Sequence, residues 1–136
     1  MTPHTHLVRI YYEDTDLSGV VYHANYLRYF ERAREHLLGP DTLVALLRDQ
    51  GIGFVVYRVT DLVFHDGATL GDELEVRIVA RIESEWRVAF DQSVWRPGGT
   101  RALVRGQVEL ACVDAHRKLV PLPKEVVLRF PRAGTA

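Results

Sequence analysis

Cysteine is nearly absent from this chain: Cys112 is the only one. An internal disulfide framework and a cysteine-based zinc cluster are therefore excluded. Cys112 lies in an apolar, strand-like run, the setting of an inert packed thiol rather than of a nucleophile. Serine is almost as scarce. Ser18, Ser84 and Ser93 are the only three, and none occupies the Gly-x-Ser-x-Gly elbow of a serine hydrolase. No Walker-type phosphate loop is present, because Pro97-Gly98-Gly99-Thr100 reads as a hairpin turn. Asp14, Asp16 and His23 lack an established metal-ligand spacing, so neither a metal nor another cofactor is expected. Neither sign of charge dominates. The 17 Lys and Arg against 18 Asp and Glu leave a net charge of -1, which supplies no global field to attract nucleic acid. The start of the chain lacks the basic and apolar stretches of a secretory signal, and no apolar run reaches membrane-spanning length. The expectation is a cytoplasmic protein without membrane insertion.

What is present fits one soluble domain. The 136 residues are 47% hydrophobic and 26% charged, enough for a single hydrophobic core and too few for two. Repeats, low-complexity tracts and linkers are missing, so residues 1–136 read as one unit. The order is a strand, then helices, then a long run of strands, which predicts an α+β fold.

Leu7 to Glu13 alternates Val8, Ile10 and Tyr12 against Arg9, Tyr11 and Glu13, as a half-buried strand does. From Ala24 to Leu38 the apolar residues Tyr26, Phe30, Ala33 and Leu37 recur at helical spacing, with Arg28, Glu31, Arg32, Arg34 and Glu35 assigned to the opposite face. Gly39-Pro40 stops that helix. Asp41 to Gln50 reads as a second, shorter helix. After Gly53 the period becomes two, giving strands at Phe54–His65, Asp72–Glu83, Arg87–Arg96 and Arg101–Val113. Leu74, Val76, Ile78, Ala80 and Ile82 mark the covered face of the second of these. Beyond Pro121 and Pro123 the chain to Phe130 is a short helix or strand, and residues 131–136 are expected to fray. A sheet with one long helix against it keeps an outer face and open edges, so a homodimer is expected.

The densest polar cluster is Tyr12 to Tyr26, between the first strand and the long helix. Three carboxylates within four positions, Glu13, Asp14 and Asp16, repel one another and are costly beside an apolar helix unless each is solvated or hydrogen-bonded. Turn chemistry accounts for Asp14, Ser18 and Gly19. It leaves the apolar character of Tyr12, Val20, Val21 and Tyr22 unexplained.

The run Tyr12 to Arg34, YEDTDLSGVVYHANYLRYFERAR, closely resembles the 4-hydroxybenzoyl-CoA thioesterase and Tol-Pal-associated (YbgC-type) branch of the hotdog thioesterases. The resemblance is strong over the loop and helix and weaker beyond, through strand spacing and Glu85-Trp86-Arg87. It implies a hotdog fold, dimers that pair into tetramers, and active sites built between subunits. It also implies that Asp16, the second Asp of the Asp-x-Asp pair, is the catalytic carboxylate. Gly19, Val20 and Val21 match the glycine and apolar pair that follow it, and His23 matches the histidine before the helix. Arg87 falls where related thioesterases carry a basic residue near the CoA phosphates, against the alternative of an exposed strand-end arginine. Leu17-Ser18 and Tyr22-His23 stand closer to the short-chain or envelope-associated branch than to the aromatic-specific enzymes.

Thioester chemistry makes sense of the same residues. Hydrolysis needs an activated water or a nucleophile, and something positive where the carbonyl oxygen gathers charge. Asp16 can be the first, as nucleophile or as general base. The head of the helix, with the amides near His23 and Ala24, can be the second, because a helix N-terminus presents unpaired N–H groups and the positive end of the macrodipole. His23 then either orients water or substrate or caps the helix. Tyr22 either lines the acyl pocket or packs on the sheet. Asn25 suits a backbone hydrogen bond at the helix start. The substrate is an acyl-CoA, with acyl carrier protein as the other thiol donor. Two rival classes keep the fold: a hotdog dehydratase, and a non-catalytic acyl-binding or cell-envelope-complex partner.

Overall fold

The computed structural model describes residues 3–134. In chain order the elements are β1 (His4–Arg9), α1 (Asn25–Leu38), α2 (Pro40–Ala45), β2 (Ile52–Phe64), β3 (Glu73–Ile82), β4 (Arg87–Trp95), β5 (Val104–Asp114) and α3 (Lys124–Val127). The strands form one sheet in the order β1-β3-β4-β5-β2, and every neighbouring pair is antiparallel. The long helix α1 lies against β1, β3 and β4. This is the hotdog arrangement that the sequence leads one to expect. No helix among the described residues is long and apolar enough to cross a membrane.

The alternation in β3 does what its period requires. Leu74, Val76, Ile78, Ala80 and Ile82 are all buried under α1, while Glu75, Arg77 and Arg81 stay partly exposed on the other face. Burying a Val, Leu or Ile side chain stabilises by about 1.5–3 kcal/mol each, so this strand anchors the helix. From above, α1 contributes Tyr26, Tyr29, Phe30 and Ala33. Leu62 packs tightly over β5 beside Phe30 because Gly106 has no side chain. A Cβ there would sit 3.1 Å from Leu62 Cδ1 and 3.5 Å from Phe30 Cε2.

The structure departs from the sequence reading at several points. The first strand ends at Arg9, and Tyr12–Asp14 forms a 3-10 turn that leaves Tyr12 81% exposed instead of inward-facing. The second helix is α2 continued by one π-helical turn, Leu46–Gln50. Arg34 belongs to the buried side of α1, not to its solvated face. The chain from Pro131 is also held. Ile82 N–H donates to Pro131 O (2.7 Å) and Ala133 N–H to Ile82 O (2.7 Å), so fraying does not describe residues 131–133. Residues 135–136 lie outside the described residues.

Candidate active site

The segment between β1 and α1 is a short hairpin pinned at both ends. Asp14 organises its entry: its Oδ2 accepts from Tyr11 N–H at 2.8 Å, and its backbone carbonyl accepts from Tyr22 N–H (2.9 Å) and Asn25 Nδ2 (3.0 Å). Asn25 therefore ties the helix to the incoming loop. Thr15 and Val21 form an antiparallel bridge, and Asp16 N–H donates to Val20 O at 2.8 Å. Asp16 to Gly19 is the tip, closed by Gly19 N–H to Asp16 O at 3.1 Å. Gly19 has φ of 83°, a left-handed conformation that residues with a side chain adopt only under strain.

The hairpin is anchored to the segment after β2. Val20 bridges Thr69, and Val21 N–H donates to Ala68 O at 2.8 Å. The buried Ala68 N–H in turn donates to Tyr26 Oη at 3.0 Å, linking this segment to the first turn of α1. Burial pushes the Tyr26 hydroxyl pKa up, so it stays protonated.

This arrangement puts an ionised carboxylate on an exposed tip. Asp16 Oδ1 accepts from Ser18 N–H (2.8 Å) and Ser18 Oγ (2.6 Å), and the Val20 amide lies close enough to act on the same carboxylate. The Ser18 hydroxyl, then the Ser18 amide, and after them the Val20 amide and the nearby His23 hold the Asp16 pKa below its ordinary value. Sequence reasoning assigned Ser18 to turn formation and missed this second role. The signal was there, since a serine two residues after an aspartate is placed to close an Asx turn.

The hairpin leads directly into the head of α1, which has no side-chain cap among the described residues. The Asn25, Tyr26 and Leu27 amides are taken by the carbonyls of Tyr22, His23 and Ala24, three residues back. No side chain caps the helix, which removes the capping role weighed for His23. Among the described residues no acceptor is paired with the backbone N–H of His23 or Ala24. Two donors at the positive end of a helix dipole are therefore available to a ligand. The exposed His23 ring packs on Tyr22 (centroids 4.5 Å apart) and meets Phe64 edge-on (6.1 Å). Tyr22 is exposed rather than packed on the sheet, and Val21 is buried.

Asp16, Gly19, Val20, Val21, Tyr22, His23 and Ala24 thus share one end of the molecule. Arg87 does not. Arg96, just past the end of β4, reaches Gly67 O (3.0 Å) beside Val20, whereas Arg87 begins the same strand. Eight residue steps along the strand separate Arg87 from Trp95, roughly 27 Å at about 3.4 Å per residue. At its own end Arg87 lies over the Tyr57 ring, 4.7 Å from its centroid.

The thioesterase-like superfamily profile matches residues 11–130. The Haemophilus influenzae acyl-CoA thioesterase YbgC is 40% identical over 126 residues, 90% of each chain. The Escherichia coli acyl-CoA thioester hydrolase YbgC is 36% identical over 126 residues, which are 90% of this chain and 92% of that one. Among solved structures, Slr0204, a 1,4-dihydroxy-2-naphthoyl-CoA thioesterase from Synechocystis, superposes with a TM-score of 0.83 at 25% identity. The match covers 92% of this chain and 93% of that one.

Proposed function

The chain belongs to the thioesterase-like superfamily, and from that premise we propose that it hydrolyses acyl-CoA thioesters with Asp16 as the carboxylate at the reacting carbonyl. The observation that carries this reading is an exposed, Ser18-bonded Asp16 carboxylate at the tip of a pinned hairpin that leads into a helix head without a side-chain cap among the described residues. The thioester oxygen rests against the N–H groups of His23 and Ala24, where the charge of the tetrahedral intermediate is stabilised in place. Asp16 either attacks the carbonyl carbon, forming an anhydride that water then opens, or removes a proton from the attacking water. Both roles need the ionised form, which the Ser18 bonds favour. Gly19 shapes the tip, Val20 holds the hairpin to Thr69, Val21 anchors it in the core, and Tyr22 and His23 form the wall toward the acyl group.

A second copy completes the site in this reading. β2 pairs with β5 on one side and is the sheet edge on the other, carrying exposed Val55, Val56, Tyr57 and Val59. Exposed edges of this kind are ordinarily covered, and a two-fold pairing is the economical cover. Because such a pairing is antiparallel, it brings the Ile52 and Arg87 end of one copy toward the Phe64 and His23 end of the other. Arg87 then meets the CoA phosphates of the partner's site as a bidentate donor. Pairs of dimers and a cytoplasmic location belong to the same reading.

The test is thiol release from a panel of acyl-CoA and acyl-carrier-protein thioesters of varied chain length and ring content. Turnover by wild-type protein that disappears in Asp16→Asn supports the assignment. A panel without turnover favours the non-catalytic acyl-binding alternative.

A further inference from the structure

On the face of the sheet turned away from α1, Arg87 reaches across a neighbouring strand. It begins β4 opposite Ala111 of β5, and Ala111 in turn stands opposite Val55 of β2. The small Ala111 side chain, which is buried, leaves room for the arginine to lie over it. The Arg87 guanidinium therefore ends 4.7 Å from the centroid of the Tyr57 ring on β2. Among the described residues that guanidinium makes no ion pair and no side-chain hydrogen bond.

Tyr57 owes its place to an irregularity in β2. Val56 stands opposite Leu110 and Arg58 opposite Glu109, so Tyr57 is an extra residue without a partner across the ladder. A bulge of this kind re-aims side chains that strict alternation would send to the other face. Arg58 also lies by the same ring, 5.9 Å from its centroid, but it is already committed. Its Nε donates at 2.7 Å to the buried Glu109 carboxylate, which neutralises it. The cation left with its donors unused is Arg87.

An aromatic face fixes a guanidinium without using any of its N–H donors. A carboxylate would fix it too, but would occupy the planar fork that a phosphate needs. We propose that Tyr57 is a positioning residue for CoA, its ring holding Arg87 extended and unpaired so that the fork can take a phosphate group of the substrate. This inference rests on the reading that Arg87 meets the CoA phosphates, and adds the group that orients it. Tyr57 itself touches no reacting atom. Pairing of β2 with a second copy runs through backbone groups along the strand edge, so it does not use the face of the sheet on which ring and guanidinium meet.

Calorimetric titration of the full chain with CoA tests the proposal, alongside thiol release from the fastest acyl-CoA and from the matching S-acyl pantetheine, which carries no phosphate. Arg87→Ala should weaken CoA binding by roughly ten-fold or more, and Tyr57→Val by about two- to five-fold, the worth of one exposed cation–π contact. Tyr57→Phe keeps the ring and should match wild type. In Tyr57→Val the KM for acyl-CoA should rise with kcat unchanged, and turnover of S-acyl pantetheine should not move. Wild-type CoA affinity in Tyr57→Val, or a Tyr57→Phe protein as weak as Tyr57→Val, overturns the inference while leaving Arg87 in its role. A fall in kcat or in S-acyl pantetheine turnover in Tyr57→Val marks a merely structural role and overturns it as well. CoA affinity unchanged in Arg87→Ala overturns the phosphate reading itself, and the inference with it. If no thioester is turned over, the CoA titrations alone decide.

Discussion

Two tyrosines three residues apart on α1 should respond in opposite ways to the same substitution. Tyr26→Phe removes one oxygen, the acceptor of the Ala68 N–H bond at 3.0 Å. Ala68 is fully buried, so its N–H is left without water or partner. A buried donor orphaned in this way costs about 1–3 kcal/mol. With an unfolding entropy of about 2.1 cal/mol/K per residue, a chain of this length should lose roughly 3–10 °C in Tm. Ala68 also holds Val21 through its carbonyl, so the Asp16 hairpin loosens and kcat should fall more than KM rises. Tyr29→Phe is the contrast. Tyr29 Oη is sealed from solvent and meets no acceptor at hydrogen-bonding geometry, although burial and the nearby Asp14 carboxylate push its pKa up. Deleting a hydroxyl that is already unsatisfied should leave Tm unchanged or raise it. Differential scanning calorimetry of both variants beside wild type decides the point. Equal destabilisation by the two, or an unchanged Tm for Tyr26→Phe, refutes this accounting of the site's hydrogen bonds.

Other outcomes follow from the same geometry. Asp16 must be ionised to act, so kcat/KM should fall as pH drops through its pKa, which the Ser18 bonds hold below the ordinary carboxylate value of about 3.9. Ser18→Ala should move that acid limb upward, as a pH–rate profile of the two proteins would show. Glu109 has a buried side chain (4% exposed) and accepts from Arg58 Nε at 2.7 Å. Arg58→Ala should therefore destabilise by about 1–3 kcal/mol in urea unfolding, and adding Glu109→Leu should recover much of the loss. If Arg87 acts in the partner's site, a refolded mixture of Asp16→Asn and Arg87→Ala chains should regain turnover that neither has alone. A mixture no more active than its parts would place both residues in one chain's site.

The parts of the fold written in hydrophobic period were legible. Helix α1 ends at Leu38 before Gly39, whose N–H bonds Glu35 O at 2.8 Å, and every inward residue named for β3 is buried. Legibility failed where residue type and position conflict. Arg34 follows the spacing of Tyr26 and Phe30, yet its charge suggests the wet face, and its bond to the buried Gln92 reconciles the two. Tyr12 fits strand alternation, but the Asp14 carboxylate bonds Tyr11 N–H and bends the chain into a turn first. The loop residues named in advance do come together, because the hairpin is local in sequence. Arg87 belongs to a strand whose far end is at the site, and linear order does not reveal which end.

The most direct measurement is kcat/KM for thiol release by Asp16→Asn on the best acyl-CoA substrate, with Tm recorded on the same preparation. The account predicts a fall of about a thousandfold or more at an unchanged Tm. Turnover within about ten-fold of wild type from the folded variant would contradict it.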